Sequence, residues 1–205
     1  MSEAPRPHNQ KNRIFLLWVL CIATGAVIVL GAPVLPESTL SHEFIEALGA
    51  ALVFTAVMGR LWSILYIGSK KNAELVTIGP YSISRNPLYL FSICGLVGTG
   101  LIFGSAVLTI VLLLVAWMIF RQTALAEAKF LRAKFGAAYE AYAAETPLVL
   151  PKPSLYKSGS EITFSAKALG RTFRDCLPFL ALYPMIELTE LARAAGVLKP
   201  LFHLP

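Results

Sequence analysis

The sequence predicts an all-α integral membrane fold of about four transmembrane helices, the last two forming a short hairpin, with cytoplasmic and interfacial helices besides. Composition is the first observation. Of 205 residues, 56% are hydrophobic and only 15% charged, against about 25% charged in an ordinary soluble domain, and mean hydropathy is +0.65. The second is patterning: residues 14–35 and 88–120, runs of 22 and 33, contain no Asp, Glu, Lys or Arg. Each exceeds the roughly 18 uncharged apolar residues that mark a membrane-spanning helix. The third is the placement of the +6 net charge. Basic residues flank the apolar runs, as cytoplasmic surface charges do, rather than forming one stripe interleaved with aromatics. A soluble domain, a disordered chain and a nucleic-acid partner are all excluded on these grounds.

The first pass covers residues 13–35 and ends at Pro33 and Pro36. It is longer than the 7–15 residues of a signal-peptide core and lacks an A-x-A site, so it reads as a retained span. The second pass covers residues 44–67, followed by Lys70 and Lys71. Residues 88–120 as one helix would be about 50 Å long, too long for a hydrocarbon core of about 30 Å. Both flanks are basic, so the run must cross an even number of times, and a hairpin turning near residues 100–105 satisfies this. Its arms would be about 16 residues each, and both termini would face the cytoplasm. Residues 121–144 show helical periodicity, closed by Pro147, Pro151 and Pro153. A polar linker at 157–160 leads to a tail whose apolar centre, 177–186, is ten residues with Pro178 and Pro184 inside. Ten residues cannot cross a bilayer, so the tail is expected in or on the cytoplasmic interface. The organisation is thus a transmembrane core at 1–154 and an interfacial helical tail at 155–205.

Cys21, Cys94 and Cys176 are scattered, as are His8, His42 and His203. Neither a disulfide framework nor a metal site is indicated.

Two polar patches stand out. The first is residues 73–89, AELVTIGPYSISRNPLY, where Gly79-Pro80 and Asn86-Pro87 are turn punctuation. Arg85 and Asn86 enter the membrane edge there beside Tyr81 and Tyr89. A plain loop with an interfacial aromatic belt and a binding site are both open readings. The second is Glu127, placed on an apolar helical stripe with Ala124, Leu131, Phe135, Ala138 and Tyr142. A carboxylate there must be paired, ligated or wet: either an ion pair to Arg85 or Arg121 pins the helix, or it serves a site. Arg60 interrupts the second pass and reads as snorkelling toward the cytoplasm. Together these residues outline a cytoplasmic-side cleft that could hold a polar ligand against a lipidic one.

The run G-P-Y-x-x-x-R-N-P-x-Y at 79–89, followed by Glu127, Leu131, Phe135, Gly136, Tyr139 and Tyr142 before the prolines, resembles the isoprenylcysteine carboxyl methyltransferase family. Related integral-membrane phospholipid methyltransferases share the plan. The resemblance covers about residues 66–151. It implies an S-adenosylmethionine-dependent methyltransferase of the cytoplasmic or inner membrane that acts on a lipid or lipidated acceptor, with no metal. The family's cofactor positions fall on Ala73, Glu74, Leu75, Val76, Tyr81, Asn86, Pro87, Leu88, Tyr89 and Glu127, and the catalytic pair on Arg85 and Glu127. Because a sulfonium methyl is already activated, such an enzyme chiefly supplies proximity and orientation.

Three departures bear on the acceptor. Asn86 stands where R-H-P-x-Y members have His, and so loses titration near neutral pH. Ala128 stands where many have a second Glu. Thr123 stands where the prenylcysteine enzymes place a substrate-binding Arg, which leaves Arg121 as the nearest cation, on another helix face. The alternatives are O-methylation of a prenylated cysteine carboxylate, N-methylation of a phospholipid amine, methylation of another lipid or a small thiol, and a non-catalytic scaffold that keeps the fold.

Overall fold

The computed structural model describes residues 11–34, 40–70, 73–159 and 162–205. Arg6, His8, Glu37, Lys71 and the end of the polar linker lie outside them. Four apolar helices form the bundle: α1 (Lys11–Leu30), α2 (Leu40–Ile67), α4 (Pro87–Ile102) and α5 (Ala106–Phe135). Between α2 and α4 sits a single turn, α3 (Pro80–Ile83); α6 (Ala137–Glu145) and α7 (Ala166–Ala194) complete the helices. A two-stranded parallel sheet joins β1 (Gly31–Pro33) to β2 (Phe202–Leu204). Three helices are long and apolar enough to cross a membrane, and α4 is a shorter apolar helix. The four predicted passes are therefore present.

The hairpin turns at residues 103–105, as expected. Gly104 takes φ 74°, and the Ser105 side chain accepts from the Leu108 N–H at 3.1 Å, capping α5. Only the first arm is short. The fourth pass and the amphipathic segment after it are one 30-residue helix that continues through Arg121 to Phe135. It stops at Gly136 (φ 52°), where α6 starts in a new direction.

Packing is tightest between α2 and α4. A Cβ added at Gly98 would lie 2.7 Å from the Gly49 carbonyl, and one at Gly49 would lie 2.7 Å from the Gly98 carbonyl. The two backbones touch there, a contact open only to residues without a side chain and typical of membrane helix pairs. Outward, Phe15, Trp18, Phe54, Ile110, Leu114 and Met118 are exposed, forming an apolar collar suited to lipid.

The tail, expected in or on the cytoplasmic interface, packs against the bundle, and α7 runs along its length. At its start a Cβ on Gly68 would lie 3.0 Å from the Ala168 methyl, and the Ser69 hydroxyl donates to the Thr163 carbonyl at 2.8 Å. Midway, Phe179 packs at Gly95 of α4, and at the far end Arg193 donates to the carbonyls of Ile28 and Gly31 at the close of α1. The last residue, Pro205, accepts from Val107 N–H at 3.0 Å and Ser105 Oγ at 2.8 Å, at the hairpin turn. Lys11 and Pro205, the described ends, thus lie at opposite ends of the bundle; the expectation that both termini share one side falls partly on residues 1–10, outside the described residues. Prolines inside α7 do not break it, because Pro178 and Pro184 sit within a helix whose buried side (Thr172, Cys176, Leu182, Ile186, Thr189) is packed throughout.

Candidate active site

The polar patches meet at the end of the bundle opposite the hairpin turn. Pro87 occupies the first turn of α4, where its missing N–H costs nothing, and this aims Tyr89 between α1 and α5. The Tyr89 ring is buried, stacked on Phe120 at 5.1 Å between centroids. Its hydroxyl donates to Glu127 Oε1 at 2.7 Å and accepts from Arg13 Nη1 at 2.7 Å. The Arg13 guanidinium also lies 5.5 Å from the Tyr89 ring centroid. A continuous polar chain therefore links α1, α4 and α5 through one phenol. Of the open readings of Glu127, an ion pair to Arg85 or Arg121 is not what is found: its partner is Tyr89.

α3 carries Tyr81 to the same place. Gly79 has φ 60°, and a Cβ there would lie 2.3 Å from the Tyr66 ring, so only glycine allows this turn against α2. Ser82 Oγ donates to the Gly79 carbonyl at 2.6 Å and accepts from Lys157 N–H at 2.9 Å. Residues 84–86 are laced to 147–149: Ser84 Oγ to the Val149 carbonyl at 2.8 Å, Arg85 N–H to Pro147 at 2.9 Å, Asn86 Nδ2 to Leu148 at 2.9 Å.

Inside this clasp Tyr81 is only 5% exposed, and its hydroxyl is buried with no hydrogen-bond partner among the described residues. Burial first, then the neighbouring Tyr142, Glu127 and Tyr89, push its phenol well above the ordinary range. Tyr142 donates to the Tyr81 carbonyl at 2.6 Å. Burial likewise raises its phenol, against the opposing pull of Arg85. Both are neutral donors at physiological pH. An unsatisfied buried donor is costly, which makes the Tyr81 hydroxyl a candidate donor to a further acceptor.

Arg85 donates through Nη1 to Tyr139 Oη at 3.1 Å, with its guanidinium 6.0 Å from that ring's centroid. Tyr139 is 1% exposed. Two cavities flank the 75–78 segment, and Thr77 lines both. One, about 160 Å³, is lined by Glu74, Leu75 and Val76 with Tyr66 and Thr163. The other, about 190 Å³, is lined by Ser82, Tyr142, Glu145 and Lys157.

Tyr81, Tyr89 and Glu127 are brought together, and Glu74, Leu75 and Val76 line a cavity. Ala73 is exposed and Glu74 also pairs with Lys70 at 3.0 Å. The Asn86 amide holds the 147–149 segment, Pro87 starts α4, and the Leu88 carbonyl accepts from Ser92. Arg121 is exposed on α5 and is not brought to the site. Arg60 does not snorkel: it donates to Ser92 Oγ in α4, within the bundle. Sequence reasoning missed Arg13, counted only as a flanking charge, and the role of Tyr139. The break at Gly136 shifts the stripe by one residue, burying Tyr139 and leaving Ala138 exposed. Among the described residues, no group of three or more His, Cys, Asp or Glu is placed to hold a metal ion.

Comparison with known proteins places the chain in a family. Residues 44–138 match the family model described as phospholipid methyltransferase; the match runs from α2 into α6 and includes Tyr81, Tyr89 and Glu127. The chain is 37% identical over 163 residues to the cobalt-zinc-cadmium resistance protein CzcN of Cupriavidus metallidurans, covering 80% of this chain and 75% of that one. It is 35% identical over 153 residues to the nickel-cobalt-cadmium resistance protein NccN of Alcaligenes xylosoxydans xylosoxydans, covering 75% and 71%. A shorter match, 34% over 87 residues, is to the protein-S-isoprenylcysteine O-methyltransferase of Schizosaccharomyces pombe, covering 42% of this chain and 37% of that one. No solved structure matches. This multi-pass integral membrane protein belongs to the membrane methyltransferase family that includes phospholipid and isoprenylcysteine methyltransferases.

Proposed function

We propose that this protein is an S-adenosylmethionine-dependent methyltransferase of the inner or cytoplasmic membrane, acting at the cytoplasmic face on a lipid or lipidated acceptor. The observation that carries the reading is the Tyr81–Tyr89–Glu127 cluster. It pairs a buried hydroxyl lacking a partner among the described residues with a carboxylate that has one oxygen fixed by Tyr89. Those groups suit the cofactor's mixture of amino, hydroxyl and carboxylate functions. S-adenosylmethionine, when bound, supplies an activated methyl group. Glu127 would accept hydrogen bonds from its amino or hydroxyl groups, Tyr81 would donate, and the 73–76 segment would line its entry from water. Each cavity is smaller than the roughly 300 Å³ of an ordinary ligand pocket, so entry requires the Thr77 segment between them to yield. Arg85 holds Tyr139 and α6 against α3, so its role is to orient the clasp.

Two acceptor chemistries follow from the family: O-methylation of a carboxylate, as on a prenylated cysteine, and N-methylation of a phospholipid amine. Resistance to metals, the property in the names of two relatives, would on this reading come through a methylated membrane component. A scaffold that keeps the fold without catalysis is the rival class.

The test is transfer of a labelled methyl from S-adenosylmethionine into organic-extractable material by purified protein in native lipid extract. Label that is volatilised by mild base identifies a methyl ester; base-stable label identifies an N-methyl amine. No transfer above that of Glu127→Ala, with S-adenosylhomocysteine nevertheless bound, would favour the scaffold.

A further inference from the structure

Arg60 lies in α2 seven residues before its site-side end at Ile67, about 10 Å inside the helix. Its guanidinium donates through Nη1 to Ser92 Oγ. Ser92 is 2% exposed and uses its own proton on the Leu88 carbonyl at 2.7 Å. This fixes the hydroxyl as an acceptor toward Arg60. The Arg60 Nε is buried without a hydrogen-bond partner, and among the described residues no carboxylate pairs with this side chain. A cation at that depth, joined only to a neutral hydroxyl, is costly unless an anion joins it. Its position also matters. Ser92 is one turn further along α4 than Tyr89, so Arg60 sits just beyond the Arg13–Tyr89–Glu127 chain on the membrane side of the site. A water-soluble cofactor would reach the loops at 73–78, whereas an amphiphile held in the bilayer would reach the deeper cation.

From this juxtaposition we infer that Arg60, oriented by Ser92, is an anion subsite for the polar end of the amphiphilic acceptor, which therefore carries an acidic group, a carboxylate or a phosphate, on an apolar tail. The inference rests on the proposed methyltransferase reading for the word acceptor, but the subsite itself does not. The neutral Ser92 hydroxyl positions the guanidinium without neutralising it, leaving its remaining donors for a bidentate acid. An amine head group alone would be repelled by this cation.

The experiment uses the full chain in zwitterionic phosphatidylcholine nanodiscs with spin-labelled stearic acid, its methyl ester and spin-labelled phosphatidic acid, read by electron paramagnetic resonance. We expect an immobilised fraction at least threefold larger for an acid than for the ester, lost in Arg60→Gln and in Arg60→Met, and kept in the surface control Arg171→Gln. Preference for stearic acid over phosphatidic acid assigns a carboxylate; the reverse assigns a phosphate. Equal immobilisation of acids and ester by the wild type overturns the inference, whatever the variants do. So does an acid preference that survives in whichever Arg60 variant folds, which would make Arg60 a simple α2–α4 tie. Calorimetry with S-adenosylhomocysteine on the same discs separates the two readings. Acid preference without cofactor binding leaves the subsite and removes the methyltransferase; cofactor binding without acid preference does the opposite.

Discussion

Tyr89 gives its hydroxyl proton to Glu127 across 2.7 Å, and this one bond couples the first turn of α4 to the last third of α5. The same phenol receives Arg13 from α1, so three helices meet at a single oxygen. Glu127 is thereby held in a half-buried position with its Oε1 engaged by Tyr89.

Tyr89→Phe keeps the stacking on Phe120 but removes both hydrogen bonds. A bond to a charged partner is worth about 1.5–3 kcal/mol, so S-adenosylhomocysteine should bind roughly tenfold or more weakly, as measured by calorimetry. The fold should persist, because the ring keeps its place. Unchanged affinity would separate this bond from the cofactor site.

Gly98→Val places a branched side chain where a single Cβ already meets the Gly49 carbonyl at 2.7 Å. The α2–α4 contact must open. Overpacking of this kind costs about 1–3 kcal/mol or more, and thermal unfolding in detergent should fall by several degrees. Gly170→Ala, where nothing lies within 4 Å of an added Cβ, should change little.

Tyr81 and Tyr142 are pushed above the ordinary phenol range by burial. The folded chain therefore holds these protons more tightly than the unfolded one. Their contribution to stability is constant below about pH 10, the unfolded phenol value, and is lost as pH rises from there toward the raised folded values. Melting temperature against pH should be flat for these groups from 6 to 9 and fall steeply above 10. Tyr142→Phe should flatten that alkaline slope by up to about 1.4 kcal/mol per pH unit. An identical slope in the variant would contradict a buried, neutral Tyr142.

With Pro205 bonded at the hairpin turn and Lys152, just ahead of the tail, bonded to α3, the tail starts and finishes at opposite ends of the bundle. In a background without Cys21, Cys94 and Cys176, Lys152→Cys and Val197→Cys should react with an impermeant maleimide from opposite sides of sealed, uniformly oriented vesicles. Labelling of both from one side would return the tail to the interface.

Much of this was legible in the chain. Uncharged runs, basic flanks and the length limit on a helix placed the hairpin turn near residues 100–105, and it falls at 103–105. A carboxylate on an apolar stripe, and two turn dipeptides beside arginine and tyrosine, located Glu127, Tyr81 and Tyr89. Other parts were not legible, for physical reasons. α7 buries small or weakly apolar residues, Thr172, Cys176 and Thr189 among them, against α1, α2 and α4, so its apolar count falls short of a span. Its spacing of three and four along 172, 176, 179, 182, 186 and 189 was the available signal. Arg13 reads as a flanking charge until α1 is packed beside α4. The order of the buried face beyond Gly136 depends on a turn whose angle periodicity does not carry.

The most direct test is calorimetric binding of S-adenosylhomocysteine to the full chain in lipid nanodiscs, wild type beside Glu127→Ala. Saturable binding by the wild type, weakened at least tenfold in a variant with unchanged helicity and melting temperature, is the predicted result. A folded wild type that binds nothing, or a Glu127→Ala protein that binds equally well, would contradict a cofactor site built on Tyr81, Tyr89 and Glu127.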